Sequence, residues 1–183
     1  MTGVVSTIWL AVLLGWVAWG ALSLGLSLPI SLALGLGFGV IGAVGLQSTL
    51  PVGALMAVLD PIAVVLPLLA LRHMAATLGM PVQPFGTGPL LVFLLLYLTF
   101  LATAIGILPW EIYRLGYAPL PVALIALTLC AVGMWQGALF VPVVAIAGQF
   151  LWVLGWGSSN YFDHILHAAL VPVVIVVLLL RLT

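Results

Sequence analysis

The chain has 183 residues, of which 66% are hydrophobic and only 3% are charged. A water-soluble domain carries about 25% charged residues, so this composition excludes a soluble globular protein and indicates an integral membrane protein. The formal net charge is zero and lysine is absent. These features exclude lysine Schiff-base chemistry and the basic surface that nucleic acid requires, so we expect the lipid bilayer to be the main partner.

Hydropathy predicts an all-α fold, a polytopic transmembrane helix bundle of about seven spans in a single integral membrane domain, residues 1–183. A span of about 20 apolar residues crosses the hydrocarbon core. The predicted spans are residues 4–26, 28–46, 52–71, 90–108, 120–135, 138–156 and 162–180. The second and fifth are the weakest, and a bundle of six spans with one re-entrant segment remains open.

The second predicted span is rich in glycine, at Gly35, Gly37, Gly39, Gly42 and Gly45. Spacings of three and four residues keep one face of a helix almost free of side chains. We therefore expect tight packing against a neighbouring helix. The alternative is that this face lines a narrow pore or holds a cofactor.

Asp60 lies about midway along the third predicted span, where an aspartate costs roughly 2.5 to 3.5 kcal/mol. Pro61 follows it and should interrupt the helix, which leaves backbone carbonyls unpaired. A carboxylate beside a broken helix is typical of ion and substrate sites in transporters. Tyr97, Thr103 and Gln149 are the buried polar groups predicted to partner Asp60. The alternative is a protonated Asp60 that only joins two helices.

The connection 109–117 should form an interfacial helical turn, because its tryptophan and tyrosines favour the membrane surface. Within it, Glu111 and Arg114 are spaced to form an ion pair. With seven spans and the N-terminus outside, Arg72 and Arg181 both fall inside, as the positive-inside rule favours. We therefore predict a bacterial inner-membrane protein with its C-terminus inside.

The last predicted span begins with a group of polar residues. Asn160 and Asp163 have the spacing of a helix N-terminal cap. His164 and His167, three residues apart, would share one helix face and could bind a metal or relay protons at a vestibule. The alternative is that both histidines are hydrogen-bonded anchors at the interface.

Bound cofactors are not specified by any motif in the sequence. Trp16 and Trp152 lie deep in their spans and could line a cavity for an apolar or quinone-like ligand, although we favour core packing for both. A haem, pigment, quinone or metal therefore remains open. Cys130 is the only cysteine, so an internal disulfide is excluded.

Three functions fit these features. The first is a transporter or channel for a proton, ion or small solute, with Asp60 at its centre. The second is a non-catalytic subunit that packs against other membrane subunits or its own copies, because the loops are short and almost uncharged. The third is an intramembrane enzyme acting on lipid, for which no nucleophile and base stand out in the sequence.

Overall fold

The computed structural model describes residues 2–46, 48–59 and 63–182, and within these ranges the regular structure is helical, without strands. The helices are α1 (Thr2–Leu22), α2 (Leu28–Gly45), α3 (Leu50–Leu59), α4 (Val65–Thr77), α5 (Thr87–Ala104), α6 (Pro119–Trp135), α7 (Phe140–Val153), α8 (Tyr161–Ile165) and α9 (Leu170–Leu179). A 3-10 helix, Ile112–Tyr117, precedes α6 and confirms the helical turn predicted in the connection 109–117.

Three of these helices are long and apolar enough to cross a membrane, namely α1 from Gly3, α2 and α5. Most of their length faces outward, as expected for helices in contact with lipid. Five further apolar helices, α3, α4, α6, α7 and α9, have only 10–17 residues. The membrane character and the all-helical class are therefore supported, while the count of seven spans is not confirmed and stays a prediction.

The chain divides into two compact units, Met1–Val82 and Gln83–Thr183. The first unit contains α1 to α4, and the second contains the 3-10 helix and α5 to α9. In the first unit, α1 packs along α2 and also contacts α4. In the second unit, the 3-10 helix contacts α5, α6 and α8, so it joins elements that are far apart in the sequence.

Glycines bring α1 and α2 into close contact in the first unit. A Cβ atom added at Gly39 would lie 2.6 Å from the backbone nitrogen of Gly15, and one at Gly35 would lie 2.7 Å from Trp19 Cβ. A Cβ at Gly37, in contrast, would meet nothing within 4 Å. The prediction of tight helix packing is confirmed, because α1 fills the face of α2 that contains Gly35 and Gly39.

The third predicted span is not one continuous helix. The chain leaves α3 at Leu59, and Ala63 and Val64 are not helical before α4 begins at Val65. This interruption agrees with the effect expected of a proline near the middle of a span. Asp60 and Pro61 themselves lie outside the described residues.

The prediction of one continuous helix over residues 162–180, the seventh predicted span, was wrong. Leu166 ends α8 in an extended conformation, with φ −123° and ψ 143°, and α9 begins only at Leu170. Pro172 explains the restart, because in an unbroken helix its ring would collide with the carbonyl of Ala168. In the structure Pro172 occupies the first turn of α9, where a missing backbone donor is harmless. We call residues 166–169 the α8–α9 interruption.

Candidate functional site

A carboxylate that accepts hydrogen bonds from two hydroxyl groups lies in α8 of the second unit. The Tyr113 hydroxyl donates to both oxygens of Asp163, at 2.9 Å to Oδ1 and 2.8 Å to Oδ2. The Ser158 hydroxyl donates to Asp163 Oδ2 at 2.6 Å. Asp163 has no arginine partner among the described residues. Neutral donors therefore solvate this carboxylate in place of a cation.

Asn160 holds the two sides of this site together. Its Oδ1 accepts a hydrogen bond from the backbone of Phe162 at 2.9 Å, which confirms the predicted N-terminal cap of α8. Its Nδ2 donates to the carbonyl of Tyr113 at 2.8 Å, and its backbone N–H donates to Ser158 Oγ at 3.0 Å. The side chain of Asn160 is fully buried. One residue thus fixes the 3-10 helix, the Ser158 loop and α8 relative to one another.

The predicted pairing of two histidines on one helix face was wrong. His164 lies in α8, is buried, and its Nε2 donates to the carbonyl of Ser158 at 2.9 Å. His167 lies in the α8–α9 interruption, where its Nδ1 accepts from the backbone of Ala169 at 3.1 Å. The helix ends between them, so the spacing of three residues does not place them on one helical face.

Metal ligation has no support from the described part of the chain. No group of three or more His, Cys, Asp and Glu side chains occurs there with the geometry to hold a metal ion. The Asp163 cluster, which we define as Tyr113, Ser158, Asn160, Asp163 and His164, is instead a hydrogen-bonded network of oxygen and nitrogen groups. Such a network can bind and release protons or hydrate a small polar solute.

Aromatic rings cover the Asp163 cluster on the side of α5. Phe100 lies 4.8 Å from Phe162 and 6.2 Å from Tyr113, measured between ring centroids. Tyr97 stacks on Phe100 at 6.2 Å and is almost completely buried. Thr103 is also buried, and its hydroxyl donates to the carbonyl of Phe100. This apolar cover lowers the local dielectric constant and so strengthens the hydrogen bonds to Asp163.

Burial and the hydrogen bond to Asp163 together raise the pKa of the Tyr113 phenol above its ordinary value. Burial disfavours the charged phenolate, and the hydrogen bond to the carboxylate requires the phenol to keep its proton. The phenol therefore stays protonated throughout the neutral pH range and remains a donor to Asp163.

The predicted ion pair between Glu111 and Arg114 is present. Both side chains are mainly exposed, by 68% and 75% respectively. An exposed pair of this kind contributes little to stability. Arg114 is next to Tyr113 in the sequence, but its guanidinium pairs with Glu111.

Trp16 and Trp152, for which the sequence favoured core packing over a cavity lining, make specific hydrogen bonds within their own units. Trp152 Nε1 donates to the carbonyl of Ser159 at 2.8 Å and so anchors the loop that presents Ser158. Trp16 Nε1 donates to His73 Nδ1 at 2.9 Å, and the His73 ring also meets Trp19 at a centroid distance of 5.6 Å. Both tryptophans thus tie together segments of the described residues.

The other polar groups predicted from the sequence make no hydrogen bond to Asp163 among the described residues. Gln149 is half-buried on α7, while Tyr97 and Thr103 lie on α5 in the same unit. Their predicted partnership with Asp60 stays a prediction, because Asp60 and Pro61 fall outside the described residues.

Sequence reasoning missed Tyr113 and Ser158 as partners of Asp163. Tyr113 is 50 residues away from Asp163, and no local pattern signals such a contact.

Comparison with known proteins adds no assignment to this geometry. No protein-family model, curated protein or solved structure matches the chain.

Proposed function

We propose that the protein is an integral membrane transporter or channel for a proton, ion or small solute, and that the Asp163 cluster belongs to its binding site. The observation that carries the proposal is a half-buried carboxylate held only by neutral hydroxyl donors. Ionisable groups are costly in an apolar protein of this kind and usually mark a substrate or ion pathway.

The position of the Asp163 cluster supports the same function. Asp163 lies in α8, which follows the apolar helix α7 in the chain, packs against it and ends at the α8–α9 interruption. Non-helical backbone among membrane helices is tolerated where it is buried in protein or lines a water-filled cavity. Discontinuous helices with such backbone form the sites of many transporters. A site built from Asp163, a broken helix and hydroxyl groups matches that chemistry.

Asp60 remains a second candidate of the same type in the first unit. The interruption between α3 and α4 agrees with the broken helix expected there. We therefore keep the proposal that Asp60 contributes to transport, and we base the experiments on Asp163, whose contacts are described.

We further propose seven spans in a bacterial inner membrane, with the N-terminus outside and the C-terminus inside. The arginine distribution supports this orientation, because Arg72 and Arg181 would then both lie inside. A tag at the N-terminus should be accessible to protease on intact spheroplasts, whereas a tag at the C-terminus should become accessible only after lysis. Accessibility of both tags from the same side would contradict an odd number of spans.

Replacement of Asp163 by asparagine should abolish transport. The asparagine amide presents a donor to Tyr113 and Ser158, which are themselves donors, and it removes the negative charge. The measurement is movement of H⁺, Na⁺ or K⁺ into liposomes that contain the purified protein, compared with empty liposomes.

Two further variants make this flux experiment specific. Glu111→Gln removes an exposed carboxylate and is expected to leave the flux unchanged, since Glu111 lies outside the Asp163 cluster. Tyr113→Phe keeps the ring but removes one donor, so it should slow the flux without unfolding the protein. Equal flux in wild type and Asp163→Asn would show that the site lies elsewhere.

A further inference from the structure

We propose that the species bound at the Asp163 cluster is a proton, held on the Asp163 carboxylate between Tyr113 and Ser158. This inference rests on the proposed function and narrows its substrate class. The geometric basis is that both carboxylate oxygens already accept O–H donors, at 2.6 to 2.9 Å. Hard cations such as Mg²⁺ and Ca²⁺ take about six or more oxygen ligands, whereas a proton needs only a rearrangement of these hydrogens.

The Ser158 hydroxyl can make that rearrangement. Its O–H donates to Asp163 Oδ2, and its oxygen also accepts a hydrogen bond from the backbone N–H of Asn160. A hydroxyl oxygen has two lone pairs, so it can accept a second hydrogen bond when its own hydrogen rotates away. Ser158 can therefore serve as donor to the charged carboxylate and as acceptor from the protonated acid, with the oxygen atoms in almost the same place.

The uptake step balances without any other reactant. A lone pair on Asp163 Oδ2 forms an O–H bond to a proton from hydronium, and the hydronium O–H bond breaks to leave water. The Ser158 O–H turns away as the new Asp163 O–H turns toward the Ser158 oxygen. Release is the reverse of this step, and no electron transfer is involved.

The 3-10 helix connects an exposed aromatic ring to the carboxylate. Tyr117 is 49% exposed and its ring meets Tyr113 edge to face, with centroids 5.8 Å apart. Tyr113 in turn contacts both oxygens of Asp163. The exposed Tyr117 ring thus borders Tyr113, whose hydroxyl contacts the carboxylate.

Four other titratable groups surround Asp163. They are Tyr113 and Tyr117 on the 3-10 helix, Tyr97 on α5 and His164 on α8. Burial and the hydrogen bond to Asp163 raise the pKa of the Tyr113 phenol, so it stays neutral near pH 7 and does not compete for the proton. His164 is buried, and its Nε2 is committed to the carbonyl of Ser158. Asp163 is therefore the group in this cluster that can change charge without losing its place in the network.

Infrared titration of the intact protein in lipid nanodiscs tests this inference directly. On acidification we expect the carbonyl stretch of a protonated carboxylic acid to appear, with a component that is absent in Asp163→Asn and present in Glu111→Gln. Tyr113→Phe should raise the midpoint of that component by about one pH unit, because it removes a hydrogen bond to the charged form. Glu111→Gln changes an exposed residue outside the Asp163 cluster and should leave the midpoint unchanged.

The results that would overturn the inference are equally specific. Identical titrations of wild type and Asp163→Asn would show that Asp163 does not bind the proton. A midpoint that falls as Na⁺ or K⁺ is added would show that a metal cation competes for the carboxylate. Cation flux without an Asp163 band would overturn proton binding and leave transport intact, whereas the band without flux in liposomes would support proton binding and count against transport.

Discussion

Replacing Gly39 by alanine should destabilise the packing of α1 on α2 and lower the free energy of unfolding by about 2 to 3 kcal/mol. The added Cβ would lie 2.6 Å from the backbone nitrogen and 2.7 Å from the Cα atom of Gly15, and it would also collide with the carbonyl oxygen of Ala11. These are backbone atoms of α1, so no side-chain rotation relieves the overlap. The two helices must move apart and lose packing along their length.

Gly37 provides the matched control for this prediction. It lies on the same helix, two residues away, and a Cβ there would meet nothing within 4 Å. Gly37→Ala should therefore unfold at the wild-type temperature or above it, because alanine favours a helix over glycine. Thermal unfolding in detergent, followed by tryptophan fluorescence, compares the three proteins. Equal stability of Gly39→Ala and Gly37→Ala would contradict the close contact between α1 and α2.

Replacing Gly116 by alanine should disrupt the Asp163 cluster and lower the free energy of unfolding by about 2 kcal/mol. The new Cβ would overlap the Asn160 amide oxygen and lie 2.7 Å from Asn160 Cγ and 2.8 Å from Phe162 Cδ2. Asn160 would have to give up its cap on α8 and its bond to the Tyr113 carbonyl. We expect lower thermal stability together with loss of flux in liposomes.

Gly88→Ala is the control for Gly116→Ala. Gly88 lies at the start of α5 in the same unit, and a Cβ at that position would meet nothing within 4 Å. Its stability and flux should match those of wild type. If Gly116→Ala also matched wild type, the Asn160 bridge would not be required for the site.

Local sequence patterns predict those parts of the fold that depend on local interactions. Long apolar runs correctly located α1, α2 and α5, because the length of such a run is what a membrane helix requires. The glycine spacing of α2 predicted its tight packing, since three- and four-residue spacing defines one helix face. Asn160 was recognised as a cap because capping involves only the next few residues.

Contacts between distant segments escaped prediction for a physical reason. Tyr113 and Asp163 are 50 residues apart, and Trp16 and His73 are 57 apart. Such pairs form when helices pack, and a single sequence contains no periodic signal for them. Tyr113 was interpreted only as an interfacial ring, whereas its hydroxyl is the main donor to Asp163.

The α8–α9 interruption was missed for a different reason. The apolar run over residues 162–180 has the length of a span, and its composition contains nothing polar after His167. Pro172 was present in that run, yet one proline is tolerated in many membrane helices. The Ala169 to His167 hydrogen bond stabilises the turn locally, and its effect could not be weighed from composition.

The central claim, that Asp163 belongs to a transport site, is tested most directly by flux into liposomes that contain equal amounts of folded wild type, Asp163→Asn and Glu111→Gln. We predict flux in wild type and in Glu111→Gln, and flux no greater than that of empty liposomes in Asp163→Asn. The same assay with Asp60→Asn shows whether the first unit contributes a second acid. Undiminished flux in Asp163→Asn would contradict the claim.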